Sequence, residues 1–213
     1  MVPRIAGANP DGILLVTTNP VDVLTFDAWR TSALDRSRVL GSGTTLDTGR
    51  FRALLGTHLG VDPRSVHAFV IGEHGDSEVA VWSRANVGGI DLADFAAARG
   101  IEFGPQTMDR IFSETRDAAY QIIERKGATY YAVAAALVRI VEAIIRDQRT
   151  VLSVSSVLDG PYGLRDVALS LPSVVGARGV EQVLPLDLTQ AEEAALRRSA
   201  DVLRHGIEAL DSA

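Results

Sequence analysis

Cysteine is absent from the 213 residues, which excludes disulfides, thiolate metal sites and cysteine nucleophiles. Basic residues are too few for a nucleic-acid or anionic-membrane partner. Only 21 Lys and Arg stand against 27 Asp and Glu, a net charge of −6, and that sign repels phosphate backbones and acidic headgroups. No apolar stretch reaches the roughly 18 residues that a membrane span needs. The longest candidate, Ala132 to Ile145, is interrupted by Arg139 and Glu142. The first residues, Met1-Val2-Pro3-Arg4-Ile5, lack the basic-then-apolar order of a secretory signal. Repeats, low-complexity tracts and His-x-x-x-His or Cys/His spacings are missing too, so no metal site is expected. What remains is 46% hydrophobic, enough for one sizeable core or two lobes, and the expectation is a soluble cytoplasmic protein.

Periodicity and turn residues divide the chain. The first part reads as strand 13–17, helix 20–32, strand 37–41, helix 46–59 and strand 66–72, the alternation of a doubly wound α/β sheet. Around Gly88-Gly89 the pattern changes to longer helices, with one expected from about Gln106 to Arg149, bent near Gly127. Strand-like runs follow at 150–157, 166–176 and 179–186. A last helix opens on Thr189-Gln190-Ala191-Glu192, a capping box.

The chemistry concentrates in two segments. Asp47 and Arg50 are three apart at the start of the fourth element, on one helix face. His74 sits between glycines in Gly72-Glu73-His74-Gly75-Asp76-Ser77, at the end of an apolar run, where open α/β sheets usually keep their chemistry. A guanidinium grips a carboxylate through two parallel hydrogen bonds. An imidazole moves a proton near neutral pH, and a carboxylate on its far nitrogen selects the tautomer and raises its pKa. Together they suit an organic acid whose neighbouring carbon gains or loses a proton. Blander readings stand beside this one: a helix-terminal acid with a solvated arginine, and a polar turn or partial metal site around His74.

Thr18-Asn19-Pro20-Val21-Asp22, Gly41-Ser42-Gly43-Thr44-Thr45-Leu46-Asp47-Thr48-Gly49-Arg50-Phe51-Arg52, the His74 segment and Lys126-Gly127-Ala128-Thr129-Tyr130-Tyr131 resemble the signature segments of the L-lactate dehydrogenase family, in its order and at its spacing. The resemblance runs over essentially the whole chain. It implies roles position by position. His74 would protonate a keto oxygen, Asp47 would orient and charge it, and Arg50 would clamp the substrate carboxylate. Asn19 would bond near the reacting carbonyl and the nicotinamide, with Thr17 beside it on the cofactor side. Thr129 would line the substrate pocket and Val133 would pack on the nicotinamide ring, although Val133, Leu137, Ile140, Val141 and Ile144 also form an ordinary apolar helix stripe. Gly49 departs from the family's more usual alanine and costs helix propensity.

The resemblance further implies NAD as cofactor, pyruvate and lactate as substrates, and a homo-oligomer, usually a tetramer. Arg52 and His67 correspond to positions that bind fructose 1,6-bisphosphate in bacterial members. Their plain alternatives are a solvated helix arginine and a strand residue without a ligand. The dinucleotide fingerprint Gly-x-Gly-x-x-Gly is not found; Gly41-Ser42-Gly43-Thr44-Thr45-Leu46 comes nearest and ends in leucine. Residues 1–42 are therefore expected to be the last part of a Rossmann-like NAD-binding domain, and 43–213 an α+β substrate and catalytic domain. On this reading the family's first βαβ units and mobile active-site loop would precede Met1, and the chain alone would not turn over NADH. A malate dehydrogenase of the same family and a non-catalytic binding or assembly remnant are the alternatives.

Overall fold

The computed structural model describes residues 1–126 and 130–212, with backbone alone at 119–126 and 211. Helix α1 (Val2–Ala8) leads to strand β1 (Leu14–Val16), helix α2 (Val21–Ser32), strand β2 (Val39–Gly41) and helix α3 (Thr45–Leu59). Five short strands follow: β3 (Val66–His67), β4 (Val70–Ile71), β5 (Val79–Ala80), β6 (Asn86–Val87) and β7 (Ile90–Asp91). Helices α4 (Leu92–Ala98), α5 (Pro105–Lys126) and α6 (Tyr131–Ile145) precede the long strands β8 (Thr150–Asp159) and β9 (Arg165–Gly176). Strand β10 (Gly179–Val183) and helix α7 (Gln190–Asp211) complete the order.

The α/β class is as expected, and one sheet runs through both halves of the chain. Its order is β1-β2-β8-β9-β10. Strands β1 and β2 are parallel, and every later pairing is antiparallel. Strands β8 and β9 are buried almost end to end, from Leu152 to Leu158 and from Val167 to Ser173. A strand covered on both faces needs apolar or small side chains on each of them. Here Val167, Leu169 and Leu171 pack with α2 and α7, while Leu152, Val154 and Val175 pack with Ile140 and Ala143 of α6. The polar positions that remain are serines, small enough to be buried and able to bond locally. A third core joins Phe51, Leu55 and Leu59 of α3 to Val66, Val87, Leu92 and Ile111.

Several expectations are corrected. The run 66–72 is not one strand. Strand β3 pairs with β6 and β4 with β5, in separate sheets, because side chains interrupt the ladder between them. Arg52 Nε donates to the Ala68 carbonyl at 2.8 Å, and Val70 N donates to Thr48 Oγ1 at 3.0 Å. Helices do follow Gly88-Gly89, from Leu92 onward, but the pair itself is a hairpin turn. Both residues have positive φ, 59° and 90°, and they turn the β6–β7 hairpin as Gly-Gly pairs do. The helix expected over 106–149 is two, α5 and α6, and the bend near Gly127 lies outside the described residues. On α6 the buried stripe runs through Ile140 and Ala143, whereas Val141 is 39% exposed. Strand β10 stops at Val183, after which Leu184 N still reaches the Pro172 carbonyl at 2.8 Å and Pro185 has no proton to continue with. The capping box at Thr189 is present in both directions.

Candidate active site

The site begins with an anchored helix. Thr44 precedes α3, but its hydroxyl does not cap the helix. It donates instead to the Val70 carbonyl at 2.6 Å and lies 2.9 Å from Ser153 Oγ. Its main-chain nitrogen donates to Ser170 Oγ at 3.0 Å. Ser153 Oγ reaches the same Val70 carbonyl at 2.7 Å, and Thr45 Oγ1 the Ser153 carbonyl at 3.0 Å. Strands β4, β8 and β9 thus hold the first turn of α3 by buried hydroxyls. Gly43 allows the approach: a Cβ there would lie 2.3 Å from Ser170 Oγ and 2.5 Å from Ser155 N. Asp47 sits in this turn, where a carboxylate also suits the helix dipole.

The histidine turn leaves β4 and is held one residue at a time. Gly72 exchanges two hydrogen bonds with Ser170, at 2.8 and 2.9 Å. Glu73 N donates to Ser199 Oγ at 2.8 Å, and His74 N donates to Asp22 Oδ2 at 2.7 Å. Gly72 adopts φ 88°, and a Cβ there would meet Ser199 Oγ at 2.7 Å. Glycine is required at this turn.

These two supports bring the three expected residues together. His74 Nδ1 is 2.6 Å from Asp47 Oδ2, and Arg50 Nη1 is 3.3 Å from Asp47 Oδ1. The Asp47 side chain is 4% exposed, Arg50 13% and His74 25%. An ionised carboxylate only accepts, so Nδ1 carries a proton. Nε2 has no hydrogen-bond partner among the described residues. Burial by itself would lower the histidine pKa, but the Asp47 hydrogen bond and charge, with the charges of Asp22 and Glu78, raise it above the ordinary value. Arg50 Nη2 is buried without a hydrogen-bond partner among the described residues. A buried guanidinium N–H is costly to leave unpaired, so this corner is suited to an incoming acceptor.

Two neighbouring carboxyls were not assigned a role from sequence. Asp22, buried on the first turn of α2, is pushed up to about 6 by that burial. Glu78 is buried beside Asp47, and desolvation followed by the Asp47 charge raises it to about 8. Its Oε1 finds no partner among the described residues. Asp22 ends a segment singled out above, but an acid in a first helical turn reads as an ordinary N-terminal charge; Glu78 lies just past the histidine segment, before β5.

The remaining candidates scatter around this centre. Asn19 is exposed on the loop between β1 and α2, three residues before Asp22, and Thr17 is exposed directly after β1. Val133 is half-buried on α6, and Thr129 lies outside the described residues. Arg52 is half-buried, its guanidinium 5.0 Å above the Phe69 ring and its Nε on the Ala68 carbonyl. Burial lowers its pKa. His67, next to Ala68 in sequence, is exposed on β3. Among the described residues no cluster of three or more metal-ligating side chains forms, and no helix is long and apolar enough to cross a membrane.

Residues 44–212 match the model of the lactate/malate dehydrogenase alpha/beta C-terminal domain. The chain is 54% identical over 210 residues to the L-lactate dehydrogenase of Thermus aquaticus, covering 99% of this chain and 68% of that protein. It is 51% identical over 211 residues to the L-lactate dehydrogenase of Thermoanaerobacter pseudethanolicus, with the same coverage of 99% and 68%. The crystal structure of the minor L-lactate dehydrogenase of Enterococcus mundtii, in its ligands-bound form, superposes with a TM-score of 0.93 at 41% identity. That match covers 98% of this chain and 66% of the other. The chain thus spans about two-thirds of the length of these relatives. With this fold and these matches, the chain belongs to the lactate/malate dehydrogenase family and stands within it beside the L-lactate dehydrogenases.

Proposed function

We propose that this chain carries the substrate grip and proton relay of an NAD-linked L-lactate dehydrogenase, interconverting pyruvate and lactate. The observation that carries the reading is the buried, unpaired Nη2 of Arg50 beside a histidine whose Nδ1 is held by Asp47. Arg50 would take the substrate carboxylate through two parallel hydrogen bonds, fixing the keto carbon relative to His74. His74, protonated on both nitrogens, would donate from Nε2 to the keto oxygen and recover the proton in the reverse direction. Asp47 stabilises the imidazolium throughout, and such a proton transfer is worth roughly 10²–10⁴ in rate. The same family reading gives residues 1–42 to the cofactor side and 43–213 to the substrate side.

NAD, when bound, would supply or accept the hydride. The nicotinamide end fits this chain: Asn19 and Thr17 are exposed beyond β1 and Val133 is accessible on α6. A pyrophosphate seat is another matter. The Gly41–Leu46 loop is packed against Ser155 and Ser170, so it has no room for phosphate. Asn19 and Thr129 would complete the substrate pocket. Arg52 and His67 would bind the phosphates of fructose 1,6-bisphosphate at a contact between subunits of a cytoplasmic homotetramer.

The test is calorimetric binding of oxamate, a pyruvate analogue, together with pyruvate-dependent oxidation of NADH. Arg50→Gln should abolish oxamate binding, and Arg50→Lys should weaken it by losing the paired geometry. His74→Ala should remove any turnover. Oxamate binding that is indifferent to Arg50 would end this reading, whatever the turnover.

A further inference from the structure

The three main-chain N–H groups that carry the turn into His74 are each satisfied, but by unlike acceptors. Gly72 uses a carbonyl and Glu73 a serine hydroxyl, both neutral. His74 alone uses a carboxylate, Asp22 Oδ2 at 2.7 Å. That carboxylate is 2% exposed. Burying a carboxylate costs far more than burying a hydroxyl, and a hydroxyl already suffices one residue earlier. The fold also makes room for it. Gly41 lies against the first turn of α2, where a Cβ would meet Thr25 Oγ1 at 2.4 Å, Ser155 Cβ at 3.0 Å and Val21 Cγ2 at 3.1 Å. The close approach of α2 to β2 and β8 brings Asp22 under the histidine turn. The Ser155 side chain of β8 lies against the same carboxylate.

We propose that Asp22 is a positioning residue for His74, fixing its main-chain nitrogen and lending a second negative charge to the imidazole beside that of Asp47. This rests on the reading of His74 as the proton donor. Asp22 does not touch the substrate in this scheme; it acts through the histidine. It also ties the Asn19 loop, one helical turn away, to the His74 turn, so that the two sides of the candidate pocket share an anchor. The other charged groups acting on the imidazole are Asp47 and Glu78, with Arg50 and Arg116 beside Glu78 and Glu73 beside Asp22. Of these carboxyls, it is Asp22 that accepts from the histidine main chain. Because burial raises Asp22 to about 6, its charge is in place only above that pH.

The experiment is a nitrogen-15 NMR titration of the full chain, reading the His74 imidazole nitrogens and its main-chain amide in wild type, Asp22→Asn and Asp22→Ala. Asparagine can still accept from the amide but has no charge. Asp22→Asn should leave the His74 amide resonance near its wild-type position while the imidazole midpoint falls. Asp22→Ala should displace the amide resonance and speed its exchange with solvent. A merely structural Asp22 would lower the melting temperature and leave the Asp22→Asn midpoint where it was, and that result would overturn the proposal. An unmoved amide in Asp22→Ala would overturn it as well. Should Asp22→Ala fail to fold, the midpoint in Asp22→Asn decides alone. None of these signals depends on turnover or on substrate, so oxamate binding indifferent to Arg50 would count against the enzyme reading and leave this one standing on its own result.

Discussion

Thr44 Oγ1 donates to the Val70 carbonyl at 2.6 Å across 26 positions of sequence, and this bond joins the helix that carries Asp47 to the strand that leads to His74. Asp47 is three residues after Thr44 and His74 four after Val70. A hydroxyl that would ordinarily cap its own helix has been diverted to set the spacing of a proton relay. Ser153 reinforces the same carbonyl from β8 at 2.7 Å.

Thr44→Val should therefore do more than remove a hydrogen bond. It leaves the Thr44 shape almost unchanged but removes one of the donors to the Val70 carbonyl and lowers the constraint on α3. A loss of about 0.5–1.5 kcal/mol is expected from the missing hydrogen bond, since Ser153 and Thr48 still reach that carbonyl, read by urea denaturation. The His74 titration should change with it, since the Asp47 contact loosens. A variant as stable as wild type would mean that Ser153 and Thr48 suffice to hold the Val70 carbonyl.

Asp47→Asn tests the charge on the relay directly. The amide can face His74 Nδ1 with its oxygen, so geometry is largely kept, while the hydrogen-bond and charge contributions of Asp47 are weakened. The His74 midpoint should fall towards or below the ordinary histidine value, because burial then dominates. Proton or nitrogen NMR over pH 5–9, a window of roughly two units either side of a typical histidine, reads it. An unchanged midpoint would assign the raised pKa to Glu78 and Asp22 instead.

Stability should fall as pH rises from mildly acid to mildly alkaline. Glu78 is raised from 4.5 to about 8, so across that interval the folded chain keeps a proton that the unfolded chain has released. Linkage then makes unfolding easier as pH increases. Asp22, raised from 3.8 to about 6, has the same sign over its lower window. His74 adds to it: its contribution is full below its ordinary value of 6.5 and is lost as pH climbs through its raised one. Glu78→Gln should flatten the decline, visible as a smaller difference in melting temperature between the two ends of the Glu78 window. A decline as steep as in wild type would exclude Glu78 as its source.

Gly49→Ala should stabilise the chain. Gly49 is exposed inside α3, has no unusual backbone angle, and a Cβ there meets nothing within 4 Å. Alanine in a helix interior is favoured over glycine by about 1 kcal/mol. A thermal or urea melt should register that gain. No gain would point to strain in the turn that carries Asp47 and Arg50.

Local signals were legible and long-range ones were not. The Thr189–Glu192 capping box needs only four consecutive residues, and it forms as read. The pairing of Asp47 with Arg50 follows from helical spacing alone. The run 66–72 is apolar enough to read as one strand, yet Arg52 and Thr48, on a helix well before it, divide it into two. Gly88-Gly89 carried a hairpin signal that the flanking two-residue strands were too short to support. Val141 belongs to an apolar stripe by period but faces outward, because α6 packs on the sheet through Ile140 and Ala143.

The candidate site divides along the same line. Which residues do the chemistry could be read from their types: a guanidinium, an imidazole and a carboxylate in segments with glycine turns. Their meeting could not. Asp47 and His74 are 27 positions apart, His74 and Asp22 are 52 apart, and Val70 is bonded to Ser153 across 83. Each of these distances is set by chain segments folding onto a common sheet, and no window of sequence contains both partners. The identities of the groups are local chemistry. Their pKa values, their burial and the buried N–H of Arg50 arise only when remote segments remove water from the same few ångströms.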